Sequence, residues 1–209
     1  ERKSVFFDFV QPLVEEANQA VLEDRRRLEE LATEETLSWI DRRWLVALAD
    51  DYAVEHEDLE DAELARELLG RVDVIPVALA LAQAAKESGW GTSRFARNGN
   101  NLFGEWCYEP GCGLVPRARA DGREHEVERF RSAQASVESY VLNLNTHWGY
   151  EDFRHKRMQL RNSGLPLTGL ALVDSLARYS ERRGAYVEEI KRLIRFNDLP
   201  ERVRSRNGD

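Results

Sequence analysis

The sequence predicts a mostly α, α+β protein: a helical bundle around one buried central helix, with a small inserted β-hairpin lobe. Two observations lead there. Apolar residues recur at helical spacing along most of the chain, and Val77 to Ala85 is apolar on nearly every face, which calls for burial all round. Between Gly89 and about residue 131 the pattern changes to Gly, Asn and Pro, with one hairpin signal at Asp121-Gly122.

The elements follow in order. Val10, Leu13, Val14, Ala17, Val21, Leu28 and Leu31 mark a first helix with Pro12 near its start. Trp39, Ile40, Trp44, Leu45, Leu48 and Tyr52 mark a second, and a third with Leu64, Leu68 and Leu69 is expected to close at Gly70. Pro76 opens the all-apolar helix, which stops at Gly89. The hairpin is expected to pair 114–119 with 123–131. Helices resume with Val137, Tyr140, Val141 and Leu144, then over about 150–161, 170–179 and 186–196.

Composition removes several classes of function. The net charge is −8, with 30 basic residues interspersed among 38 acidic ones, so a basic face for nucleic acid is not expected. Arg25-Arg26-Arg27 is flanked by Glu23, Asp24, Glu29 and Glu30 and reads as a solvated helix face. No apolar run approaches the ~20 residues of a membrane span. The chain opens on Glu1 rather than Met, so a preceding segment is expected to have been removed. Any signal or membrane anchor belongs to that segment.

Cys107 and Cys112 flank Pro110-Gly111, a turn able to bring the sulfurs together. A disulfide fits an exported protein, and two free thiols fit the cytosol; the disulfide is preferred. Zinc is disfavoured, because the four histidines show no ligand spacing, and no cofactor is called for.

Glu87 breaks a local rule. It ends the apolar helix in Lys86-Glu87-Ser88-Gly89-Trp90-Gly91, where burial and the negative end of the helix dipole both favour the protonated carboxyl. That suits a general acid, with Trp90 and Trp106 as candidate neighbours. The plainer reading is a solvent-facing residue in a last helical turn.

The run Ala82-Gln83-Ala84-Ala85-Lys86-Glu87-Ser88-Gly89-Trp90-Gly91, followed by Asn100-Asn101-Leu102-Phe103-Gly104, resembles the bacterial peptidoglycan N-acetylglucosaminidases of glycoside hydrolase family 73. Phe130-Arg131-Ser132 with Glu138-Ser139-Tyr140, and Tyr179-Ser180-Glu181-Arg182 before Tyr186, extend the resemblance in order. Trp106-Cys107, Gly111-Cys112-Gly113 and His125-Glu126-Val127 point to its Bax-like branch, over about residues 71–199.

The resemblance implies a lysozyme-like α-lobe with a hairpin beside a long cleft, and an exported, periplasmic-type enzyme acting on peptidoglycan strands. Residues 71–209 would form the catalytic domain and residues 1–70 an N-terminal helical extension. Glu87 would protonate the leaving oxygen of a β-1,4 bond, and Tyr179 would lie near the cleaved sugar. Asn101 and Phe103 would shape the floor, while Trp90, Trp106, Tyr108 and His125 are candidate substrate contacts. Each aromatic also has a packing role of equal standing.

One departure stands out. The resemblance implies a Glu in the first hairpin strand, where this sequence has Pro116-Arg117-Ala118-Arg119-Ala120. The return strand offers Glu124, Glu126 and Glu128 on one face, with Glu126 central, unless these form a solvated acidic face. A 2-acetamido sugar attacking its own anomeric carbon needs no such carboxylate. A muramidase or lytic transglycosylase, and an inactive glycan-binding protein, are the rival functions.

Overall fold

The computed structural model describes residues 1–117, 119, 122–176 and 184–207. Helix α1 (Arg2–Leu31) runs unbroken through Pro12, a longer helix than the sequence pattern marked. Its apolar stripe, from Phe6 through Val10, Val14 and Val21 to Leu28, lies along α3 (Asp61–Arg71), α4 (Val77–Glu87) and α6 (Ala133–Thr146). The α2 helix (Trp39–Asp51) is started by Ser38, whose Oγ accepts the Asp41 N–H, and packs on α3. Contrary to expectation, α3 does not close at Gly70; it continues to Arg71.

The α4 helix is the centre of the molecule. Every residue from Ala78 to Ala85 is buried, as expected of a helix apolar on all faces. Besides α1, it is enclosed by α8 (Gly169–Leu172), α9 (Gly184–Phe196) and α10 (Leu199–Asn207). Gly169 sits so close that an added Cβ would stand 3.1 Å from the Leu79 backbone nitrogen, so a small residue sets that approach. One apolar cluster extends from Phe6 to Leu199, so residues 1–70 share their core with the rest of the chain.

The α4 helix ends in a tight reversal: Gly89, Trp90 and Gly91 are all left-handed, at φ 57°, 60° and 73°. Ser88 holds the reversal, its Oγ bonded to the Ala84 carbonyl at 2.6 Å and receiving the Gly91 N–H at 2.8 Å. The short α5 helix (Arg94–Gly99) follows, capped by Ser93.

Among the described residues the β lobe has one more strand than expected and shorter ones. Strands β1 (Trp106–Cys107), β2 (Gly113–Leu114) and β3 (Glu126–Glu128) form an antiparallel sheet ordered β1-β3-β2. The β2–β3 register, Gly113 opposite Glu128 and Leu114 opposite Val127, keeps the hairpin relation read from the sequence. Pro116, lacking an N–H, stands just beyond β2; Asp121 of the expected turn lies outside the described residues. A Cβ on Gly113 would fall 2.0 Å from the Val127 carbonyl oxygen, so only glycine permits this pairing.

The last helical layer is latched by charge. Arg157 of α7 (Glu151–Asn162) is fully buried and donates to the carbonyls of Arg71, Asp73 and Val74 and to Asn145 Oδ1. Asp73 pairs with Arg161 at 2.5 Å. Of the helix expected over 170–179, the described part is α8 followed by a 3₁₀ turn, Val173–Leu176, and residues 177–179 lie outside the described residues.

Candidate active site

Glu87 is half-buried at the last position of α4. Burial is the main cause that raises its carboxyl above the ordinary value. The Lys86 charge and a hydrogen bond from the Tyr186 phenol pull the other way, and Glu189 adds to the rise. Lys86 is itself paired with Glu189. The net effect favours the protonated acid.

Behind Glu87 lies a buried polar chain. Gln83 Nε2 donates to the Tyr186 oxygen at 2.9 Å, and the Tyr140 hydroxyl donates to Gln83 Oε1 at 2.6 Å. Tyr140 stacks on Phe103, with ring centroids 3.8 Å apart and planes 7° from parallel. Phe103 thus acts as a wall of the core behind the site.

Asn101 works on backbone. Its Oδ1 accepts the N–H groups of Gly104 and Glu105, and its Nδ2 donates to the carbonyls of Glu105 and Glu128, both at 2.9 Å. The residue so clamped, Glu105, was not singled out by the sequence reading. Its Oε2 accepts from Ser139 Oγ at 2.8 Å, while Oε1 is shielded from solvent with no hydrogen-bond partner among the described residues. Burial pushes its carboxyl up to about 7, against the Ser139 bond and with help from Glu128. Both Glu105 and Glu87 act electrostatically on Tyr150, whose phenol is pushed up chiefly by burial. The signal in the sequence was an acid placed directly after Asn-Asn-Leu-Phe-Gly.

The remaining sequence candidates divide by what they touch. Trp90 packs edge-on against Phe6 and Phe7 of α1, at 5.9 Å and 5.3 Å, with Lys3 over its ring; its ring is engaged in core packing. Trp106 is 55% exposed and stacks on His125 at 4.1 Å, and Tyr108 is 70% exposed on the same strand-edge segment. Glu126 is buried in a different role from its neighbours. Its oxygens accept the N–H groups of Gly111 and Gly113, at 3.1 Å and 2.8 Å, and these bonds hold its carboxyl below the ordinary range. Glu124 is exposed and Glu128 half-buried, so the three acids do not share one environment. Cys107 and Cys112 are joined in a disulfide that closes the loop Glu126 grips. Tyr179 lies outside the described residues. Among the described residues, no group of three or more His, Cys, Asp or Glu is placed to hold a metal ion.

These features define a mostly helical protein in which a helix buried from Ala78 to Ala85 ends in a protonation-prone carboxyl, with a small disulfide-tied sheet inserted further along the chain. The Glucosaminidase family, described as mannosyl-glycoprotein endo-beta-N-acetylglucosaminidase, matches residues 62–199. "Protein bax" of Escherichia coli (strain K12) is 36% identical over 185 residues, covering 88% of this chain and 66% of that relative's length. No solved structure matches the chain. The chain belongs to the glucosaminidase family, in its Bax-like branch.

Proposed function

We propose that this protein is a peptidoglycan hydrolase that cuts the β-1,4 bond after N-acetylglucosamine, with Glu87 as proton donor. The observation that carries the reading is the Glu87 carboxyl itself: half-buried, raised by burial, and held by Tyr186 at the end of a buried helix. The Glu87 proton passes to the bridging oxygen as the bond from that oxygen to the anomeric carbon breaks. The bonding pair stays with the leaving sugar. A water oxygen then bonds the anomeric carbon, and its proton returns to the Glu87 carboxylate.

Exposed Trp106, backed by His125, and Tyr108 offer faces for stacking on sugar rings. The proposal puts Tyr179 near the cleaved sugar, supported by its resemblance to the family's tyrosine motif. Glu126 is assigned the support of the cleft wall rather than attack on the sugar, because both its oxygens are occupied by backbone. Residues 1–70 brace the catalytic lobe through α1. The disulfide suits an exported protein working in the cell envelope.

Digestion of purified peptidoglycan, with mass analysis of the new reducing end, tests this directly. N-acetylglucosamine at that end supports the proposal. N-acetylmuramic acid or its anhydro form assigns the chain to the muramidase or transglycosylase chemistry, which uses the same kind of acid. Binding to sacculi without release of fragments makes it a glycan-binding protein.

A further inference from the structure

A cavity of about 590 Å³ opens between α5 and the segment that leaves β2. Arg94, Arg97 and Arg117 line it together with Thr92, Phe95, Asn98 and Pro116, and no acidic residue does. Elsewhere in the chain Arg25, Arg27, Arg42, Arg157, Arg161 and Arg202 are each paired with an acid. Arg94, Arg97 and Arg117 have no acidic partner among the described residues. Arg94 is held in place: its Nη2 donates to the Val115 carbonyl at 2.6 Å, and its guanidinium lies 4.9 Å from the Phe95 ring centre. Three like charges around one hollow repel each other, and an anion in the hollow removes that cost.

The cavity is tied to the reversal after Glu87. Thr92 on its rim donates its hydroxyl to the Gly89 carbonyl at 2.6 Å, and the Ser93 N–H bonds the Ser88 carbonyl at 3.0 Å. The rim thus lies five residues along the chain from Glu87, on the turn that follows it.

We infer that this arginine-lined cavity binds carboxylates carried as side branches on the glycan strand, those of the peptide branch in particular; the inference rests on the peptidoglycan reading above. Sugar rings of the strand are neutral, so the charge on the substrate sits on its branches. Guanidinium groups recognise carboxylates through paired N–H donors. The cavity is open, so the interaction is partly screened and acts on binding rather than on the chemical step.

The test uses the full chain and its Arg97→Gln, Arg117→Gln double variant, both positions being exposed. Initial rates are measured on soluble peptide-bearing strands and on amidase-stripped strands, which carry only the lactyl carboxylate. A neutral N-acetylglucosamine hexamer serves as competitor. The expected result is a rise in KM of roughly tenfold on peptide-bearing strands, with kcat and the hexamer's inhibition constant unchanged. The difference should shrink as salt is raised. A matching rise on stripped strands moves the recognised carboxylate to the lactyl group and keeps the site. Unchanged KM on both, or an equal loss against the neutral hexamer, overturns the inference while leaving the hydrolase reading intact. A wild-type chain that cleaves neither strand overturns both.

Discussion

Tyr186 donates a hydrogen bond to the carboxyl of Glu87, and that bond ends a chain that crosses α4 through Gln83 to Tyr140 and the Phe103 ring stacked on it. It accounts for the one polar residue in the buried run Ala78–Ala85: Gln83, fully buried, has both ends of its amide satisfied by phenols. It also links two separated sequence motifs. Phe103 of Asn-Asn-Leu-Phe-Gly backs the same hydrogen-bonded assembly that orients the acid.

Glu87→Gln keeps shape and hydrogen bonding but has no proton to give. Hydrolysis of peptidoglycan should fall by roughly 10²–10⁴-fold with the fold unchanged. Turbidity loss of sacculi, alongside a thermal melt, checks both parts. A well-folded variant with most of the wild-type rate removes Glu87 from the role of acid.

Glu105 should make stability depend on pH. Its carboxyl is pushed up to about 7 from an ordinary value near 4.5. Between those values the unfolded chain has lost the proton and the folded one keeps it, so stability falls as pH rises through that window and levels off above it. The full effect is up to about 3 kcal/mol. Glu105→Gln removes this part of the dependence, which urea unfolding at pH 5 and pH 8 will register. Identical pH dependence in both proteins would show that the Glu105 carboxyl is not raised.

Glu126→Gln should weaken binding more than chemistry. The substitution leaves one side-chain oxygen where two backbone N–H groups were bound, and loosens the loop from Gly111 to Gly113. The expectation is a raised KM with kcat largely kept, measured on the same sacculi-derived strands as Glu87→Gln. A kcat loss equal to that of Glu87→Gln would make Glu126 a reacting carboxylate.

Breaking the Cys107–Cys112 bond, by Ser at both positions, should act on the same loop. Chain-entropy arguments give about 2 kcal/mol for so short a closure. Denaturant unfolding of the oxidised protein and the double variant measures it. An equal midpoint in the two would show that Glu126 and the sheet alone hold the loop.

What the sequence made legible follows from how local the causes were. The α4 helix was readable because Val77 to Ala85 is apolar on nearly every face, and burial on all sides is the simplest outcome. The third strand was not, because Trp106-Cys107 is two residues long and owes its pairing to Val127 and Glu126, some twenty positions later. Glu105 escaped notice for the same reason: an acid beside a glycine reads as surface, and it is Ser139, 34 positions away, that meets its carboxyl. The alternation of Glu124, Glu126 and Glu128 suggested one acidic face. Backbone donors from the disulfide loop single out Glu126 instead.

Tyr186→Phe isolates the hydrogen bond between the Tyr186 phenol and the Glu87 carboxyl. The bond lowers the Glu87 carboxyl, opposing the rise that burial causes. Its loss should therefore raise the Glu87 carboxyl further. A general acid works only while protonated, so the alkaline limb of the rate profile should move to higher pH in the variant. The maximal rate should fall at the same time, because the carboxyl loses the contact that aims it. The Gln83 Nε2 group loses its acceptor in the interior, at a cost of about 1–3 kcal/mol in stability. Rate profiles from pH 4 to pH 9 for wild type and variant, corrected for the folded fraction at each pH, separate these effects. A variant whose alkaline limb stays in place, or moves to lower pH, would show that Tyr186 does not control the proton on Glu87, whatever its loss does to stability.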